Sequence, residues 1–181
     1  VETEVCDPIE LINLDVKKYM IKDFNFEIIN NQIKEISNTR RSSDITDNRY
    51  QDSIFPETEQ GNLLKSFITD KVSEVSGKIM KCDAIWAIVL SYGQSTMYHS
   101  HKRPNMKNLN DFLSITLYTN VPDNSAELIF IVTAFNTFEY QVKIKPEEGM
   151  LLIFNSAIPH MTSLHLNKEE RIVISANFSP Q

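Results

Sequence analysis

Pro146-Glu147-Glu148-Gly149-Met150-Leu151-Leu152-Ile153-Phe154 sets a cluster of turn-forming residues directly before an apolar run of strand length. The same alternation of turn and short apolar run continues in both directions. Downstream, the runs 160–164 and 171–178 are separated by Asn167-Lys168-Glu169-Glu170. Upstream, the runs 84–91, 96–101, 112–119, 127–133 and 139–144 are separated by Tyr92-Gly93-Gln94, Arg103-Pro104-Asn105 and Val121-Pro122-Asp123-Asn124, among others. From Ala84 to the end the apolar period is near 2; before it the period is near 3.6. About eight short strands with this spacing predict an all-β sandwich or barrel, with helices supplied by the N-terminal half.

That N-terminal half reads as support. Residues 1–38 begin as a short strand or turn, with Cys6-Asp7-Pro8-Ile9 extended because the residue before proline avoids the α region. Phe26, Ile29, Ile33 and Ile36 recur at helical spacing and predict an amphipathic helix over 25–37. A second helix is predicted over 61–81. Its stripe is Leu64, Phe67, Ile68, Val72, Val75 and Ile79, and it should pack on the outer face of a sheet. Between the two helices, 38–60 is polar and turn-rich, which fits either a flap over a site or a solvated loop.

The bulk properties bound the partners. The 181 residues, 41% of them hydrophobic, suffice for one core, and a single domain over 1–181 is expected. It divides into mostly helical support and loop over 1–81 and a β core carrying the site over 82–181. A net charge of −6, from 24 acidic and 18 basic side chains, fits a phosphate backbone poorly, so nucleic acid is not the expected partner. Cys6 and Cys82, the only 2 cysteines, form no CxxC pair and are expected as free thiols. No apolar run reaches membrane-spanning length and no signal peptide is apparent, so a cytoplasmic protein is expected. Oligomeric state is not legible.

The chain has 4 histidines, and three fall where a metal site needs them. His99 and His101 lie one residue apart on a predicted strand, so alternation puts both imidazoles on one face with Cα atoms about 6.6 Å apart. His160 opens a distant strand. Two near ligands and one remote can form a facial triad with the opposite metal face open. Arg171 begins the apolar run Arg171-Ile172-Val173-Ile174-Ser175-Ala176-Asn177-Phe178. If it points inward it calls for an anionic ligand, which a guanidinium grips through two parallel hydrogen bonds. The competing reading is an arginine exposed at the strand end beside Glu169 and Glu170. For His165 the default is a solvent histidine on the opposite face, and for Trp86 it is core packing.

At these residues the sequence resembles the Fe(II)/2-oxoglutarate-dependent dioxygenases, and within them a phage and bacterial branch related to prolyl hydroxylases. The motifs are the quoted 146–154 stretch, Pro159-His160, the 171–178 strand, Trp86, Tyr98-His99-Ser100-His101, Leu113-Ser114-Ile115-Thr116-Leu117-Tyr118 and Val121-Pro122. They span roughly 79–180, the β half. The resemblance implies a double-stranded β-helix, or jelly roll, with Fe(II) and 2-oxoglutarate as cofactors and a small-molecule or peptide second substrate to be hydroxylated. It makes His99 the first iron ligand, His160 the distal one, and Arg171 the grip on the far carboxylate of 2-oxoglutarate. Ser175 would assist that grip, and Tyr118 would offer a third contact in competition with Ser114 and Thr116.

The departure is His101, where the family generally carries Asp or Glu. An imidazole there leaves the iron site more positive by one unit, which bears on metal choice and retention. Gly93 followed by His99-Ser100-His101 is also similar to the first cupin motif, although the glutamate expected shortly afterwards is absent. A cupin-like three-histidine enzyme without 2-oxoglutarate, and a jelly-roll binding protein without catalysis, are therefore the alternatives. The segments 38–60 and 102–110 are the candidates to close over the site.

Overall fold

A computed structural model of the chain describes residues 2–5, 14–41, 55–102, 108, 111–134 and 138–181. The expectations for Cys6–Ile9, for most of the 38–60 segment and for most of 102–110 lie outside the described residues. In chain order the elements are β1 (Glu2–Val5), β2 (Lys17–Lys22), α1 (Phe26–Arg41), α2 (Glu59–Ser76), β3 (Met80–Leu90), β4 (Leu113–Asn120), β5 (Leu128–Ala134), β6 (Phe138–Ile144), β7 (Met150–Asn155), β8 (His160–Thr162) and β9 (Arg171–Pro180). A 6-stranded sheet in the order β1-β2-β7-β4-β9-β3 faces a 3-stranded sheet in the order β6-β5-β8, and neighbouring strands are antiparallel. This is the sandwich that the β half predicts, in the jelly-roll form that the resemblance implies.

The large sheet has two dry faces. On one, Ile115, Leu117, Leu151, Ile153, Ile172, Ile174 and Ala176 pack against Ile29 and Ile33 of α1 and Leu64, Ile68 and Val72 of α2. On the other, Tyr118, Leu152, Phe154 and Val173 meet Leu128, Phe130, Val142 and Ile144 of the small sheet. Strands covered on both faces need apolar residues at every position, which is why β7 reads as the unbroken run Met-Leu-Leu-Ile-Phe. Helix α2 starts on Thr58, whose hydroxyl accepts the Gly61 N–H at 3.2 Å. It stops at Gly77, which adopts φ +66.

Several expectations need correction. The N-terminal segment supplies a second strand beyond the short one expected at its start: β1 and β2 extend the large sheet past β7. Their residues, Lys17-Lys18-Tyr19-Met20-Ile21-Lys22, alternate too imperfectly to announce an edge strand. The second helix ends before residue 81 because Gly77 terminates it, leaving Ile79 outside the stripe and 73% exposed. The predicted strand over 96–101 reduces to one bridging residue, His99. Arg171 needs no such correction: it is buried, as its inward reading requires, and not exposed at the strand end.

Gly149 joins these parts. It sits at φ +83 just before β7, donates its N–H to the Tyr118 carbonyl at 2.8 Å and accepts from Ile21 N–H at 2.8 Å. A Cβ there would lie 2.7 Å from the Ile21 carbonyl oxygen. Gly149→Ala should therefore cost about 2–3 kcal/mol, through left-handed strain and displacement of β2. The check is the urea midpoint of the variant against wild type.

Candidate metal and anion site

The three histidines predicted to converge do so. His99 and His160 form a hydrogen-bonded antiparallel pair, with His99 N–H to the His160 carbonyl at 3.0 Å and His160 N–H to the His99 carbonyl at 2.8 Å. Residues paired in this way point their side chains to the same side. His101 follows on the same face, its backbone N–H held by the Ser156 carbonyl at 2.9 Å. Ligand-capable ring nitrogens of His99, His101 and His160 lie within 4.8 Å of one another. Small side-chain rotations bring nitrogens at that spacing to the ~2.1 Å that metal–imidazole bonds require.

The surroundings prepare the imidazoles as ligands. His99 Nδ1 is 2.7 Å from the Met97 carbonyl, and His160 Nδ1 is 2.9 Å from the Ile158 carbonyl. A carbonyl can only accept, so each Nδ1 carries the proton and each Nε2 keeps its lone pair for a metal. Burial, reinforced by the neighbouring His99, pushes His160 down to about 4, and burial also lowers His99. Both are neutral at physiological pH. The set therefore fits a metal.

Arg171 occupies the same cavity. It is 2% exposed, and no carboxylate among the described residues forms an ion pair with it. Its Nε has no hydrogen-bond partner, and its guanidinium lies over the Tyr118 ring, 5.0 Å from the centroid. A cation–π contact of about 2 kcal/mol does not match the several kcal/mol that burying a charge costs. The neighbouring Tyr118 hydroxyl is also buried without a partner. Burial raises Tyr118 and the Arg171 charge opposes the shift, so the phenol stays protonated and able to donate. A buried guanidinium with an unmatched Nε–H, next to an unmatched phenol O–H, has the charge and donors that an anion would pair with.

Of the hydroxyls predicted to compete with Tyr118, Thr116 lines the cavity directly across the β4–β9 ladder from Ser175, which lines it too. Ser114 is instead hydrogen-bonded to Ser156 and Asn177. The cavity, about 400 Å³ with its mouth included, is closed by Ile88, Leu128 and Val173 and edged by Thr96, Met161 and Thr162.

Two sequence readings change. Trp86 is not simply core: it lines the cavity, lies 5.5 Å ring to ring from His101, and buries an indole N–H without a partner. Its position across the ladder from Ser175 is the signal that could have placed it there. His165 is 0% exposed, not a solvent residue, and its Nε2 meets the Glu169 carbonyl at 2.7 Å. It is outside the histidine cluster, as alternation predicts. Asn177 was missed, although it follows Arg171 and Ser175 on the same face of β9.

The geometry defines a class of protein, a jelly roll with three histidines and a buried, unpaired arginine facing one cavity. No protein-family model matches the chain, and no curated protein matches it in sequence. Solved structures do. The chain is similar to SnoK, a non-heme alpha-ketoglutarate-dependent carbocyclase from nogalamycin biosynthesis, with a TM-score of 0.71 at 9% identity, covering 92% of this chain and 80% of that one. It is similar to a Pseudomonas putida prolyl-4-hydroxylase, with a TM-score of 0.60 at 13% identity, covering 93% and 89%. It is also similar to iron-bound HygX from Streptomyces hygroscopicus, with a TM-score of 0.59 at 11% identity, covering 93% and 83%. These similarities establish that the chain has the fold of those enzymes.

Proposed function

We propose that this protein is an Fe(II)/2-oxoglutarate-dependent oxygenase that oxidises a small molecule or a peptide side chain. The observation that carries this reading is the buried Arg171 without an anion, facing the cavity that the three imidazoles also face. A metal site alone would not need it. His99, His101 and His160 would hold Fe(II). Arg171, with the Tyr118 hydroxyl beside it and Ser175 and Thr116 along the wall, would hold the far carboxylate of 2-oxoglutarate.

When bound, Fe(II) and 2-oxoglutarate supply oxidising power by coupling loss of carbon dioxide to reduction of oxygen. The chain's own residues bind and orient. The carbonyls of Met97 and Ile158 hold two imidazoles in the metal-binding tautomer. Arg171 fixes the length and direction in which a five-carbon diacid can lie. Ile88, Leu128 and Val173 keep the cavity wall apolar. Three neutral imidazoles leave a +2 ion uncompensated until the dianionic cosubstrate arrives, so the two ligands should bind with positive coupling. The net charge of −6 argues against nucleic acid as substrate. Among the described residues, no helix is long and apolar enough to cross a membrane.

Thermal unfolding with Mn(II) or anaerobic Fe(II), with and without 2-oxoglutarate, tests the reading. Both ligands together at about 100 times their Kd should add about 2.7 kcal/mol each. The combined shift in Tm is then roughly 10–20 °C, and succinate should accumulate once oxygen is admitted. Stabilisation by metal that 2-oxoglutarate does not increase would turn the assignment to a cupin-like enzyme, and no response to metal would end both.

A further inference from the structure

Two of the three histidines owe their tautomer to a backbone carbonyl; at His101 a side-chain amide stands beside the ring nitrogen. The His101 Nδ1 faces the side-chain amide of Asn177, with Nδ2 at 3.5 Å. The other end of that amide, Oδ1, lies 2.7 Å from the Ser114 hydroxyl, which lies 2.9 Å from the Ser156 hydroxyl. Ser156 then returns to His101, because its carbonyl accepts the His101 backbone N–H at 2.9 Å. The result is a closed circuit from ring to amide to two hydroxyls and back to the same residue. Ser114 and Ser156 are both buried, so this polar circuit has a defined position in the core.

We propose that Asn177 is the positioning residue for His101, holding the imidazole so that its Nε2 faces the metal. The inference rests on the reading of the three imidazoles as a metal site. The amide can stand in two orientations, because a half-turn exchanges Oδ1 and Nδ2 with little change of shape. With Nδ2 toward the ring, Asn177 donates to Nδ1, the ring proton goes to Nε2, and His101 cannot ligate. With Oδ1 toward the ring, Nδ1–H donates to Asn177, Nδ2–H donates to Ser114, and Ser114 donates to Ser156. In that second arrangement the ring Nδ1–H, one amide N–H and the Ser114 hydroxyl each have an acceptor, and the Nε2 lone pair is free. Metal binding selects it, and the Ser114–Ser156 pair accommodates it by turning its hydroxyl protons. The chain thus builds dedicated support for a histidine at the position where the family its sequence resembles generally carries a carboxylate.

The test compares wild type with Asn177→Leu, Asn177→Asp and Ser114→Ala, in the whole 181-residue chain. Readouts are calorimetric Zn(II) affinity and nitrogen-15 NMR of the histidine rings, with and without Zn(II). Leucine fills the space but offers no acceptor, so Zn(II) affinity should fall about 10- to 100-fold, and the Zn(II)-bound His101 should lose the nitrogen-15 signature of a hydrogen-bonded Nδ1–H. Aspartate can only accept, so it should enforce Nδ1–H and bind Zn(II) at least as tightly as wild type. Ser114→Ala frees the amide without touching the ring and should give a smaller loss, which keeps the test open if the leucine variant does not fold. Wild-type affinity in both Asn177→Leu and Ser114→Ala, or an Asn177→Asp variant as weak as leucine, overturns the role of Asn177 alone. Failure of the wild type to bind Zn(II) overturns the metal site and this inference with it.

Discussion

Arg171→Met is expected to abolish the response to 2-oxoglutarate while leaving the ligand-free protein at least as stable as wild type. The two effects have one cause. In the absence of ligand, the guanidinium is buried with an unpartnered Nε and with Tyr118 beside it. Replacing a poorly matched buried ion by an apolar side chain of similar length is neutral or stabilising by about 1–4 kcal/mol. With 2-oxoglutarate present, the same substitution removes the cation from a buried charge pair. Losses of that kind run to about 2–5 kcal/mol, or roughly a 30-fold to several-thousand-fold rise in Kd. Metal binding should persist, because the imidazoles are untouched. Urea unfolding of the ligand-free variant and calorimetric titration of 2-oxoglutarate into its Mn(II) form check both halves. A variant that binds 2-oxoglutarate within a few-fold of wild type would remove the main support for an oxygenase.

His160→Ala should weaken metal binding at least 100-fold and also flatten the acid dependence of stability. The second effect follows from burial. Folded His160 resists protonation until about pH 4, held down by burial first and by the neighbouring His99 second. In the unfolded chain it titrates near ~6.5. Between those two values the unfolded state binds more protons, so the metal-free protein loses stability as pH falls from about 6.5 to about 4. His160 alone accounts for up to about 3 kcal/mol of that loss, and His99, lowered in the same direction, adds to it. Urea midpoints collected from pH 7 to pH 4 should show a shallower slope for the alanine variant than for wild type. Equal slopes would mean that the imidazole of His160 is not buried in the folded, metal-free protein.

The parts of the site that were legible in advance are those carried by alternation. His99 and His101 share a face because they lie two positions apart, and the Arg171–Ser175 spacing puts both on one side of β9. That held even though the 96–101 segment forms a single bridge rather than a strand, since two-residue alternation needs only locally extended backbone. Trp86 and Asn177 were harder. Each obeys the same alternation, but only their partners across the ladders, Ser175 and Ser114, give them a task. His165 misled because a polar residue flanked by exposed Leu164 and Leu166 gives no sign that its own ring is enclosed.

By itself the sequence determined the period of most segments, and with it the β-rich class, the two helices and the shared faces of His99 with His101 and of Arg171 with Ser175. These are consequences of local backbone geometry, and neighbouring residues suffice to encode them. Tertiary structure alone decided that β1 and β2 extend the large sheet, that His160 stands opposite His99, and that Arg171 is buried at the cavity with no described carboxylate paired to it. Pairing between distant strands and depth of burial depend on the whole packed assembly, and no window of sequence contains them.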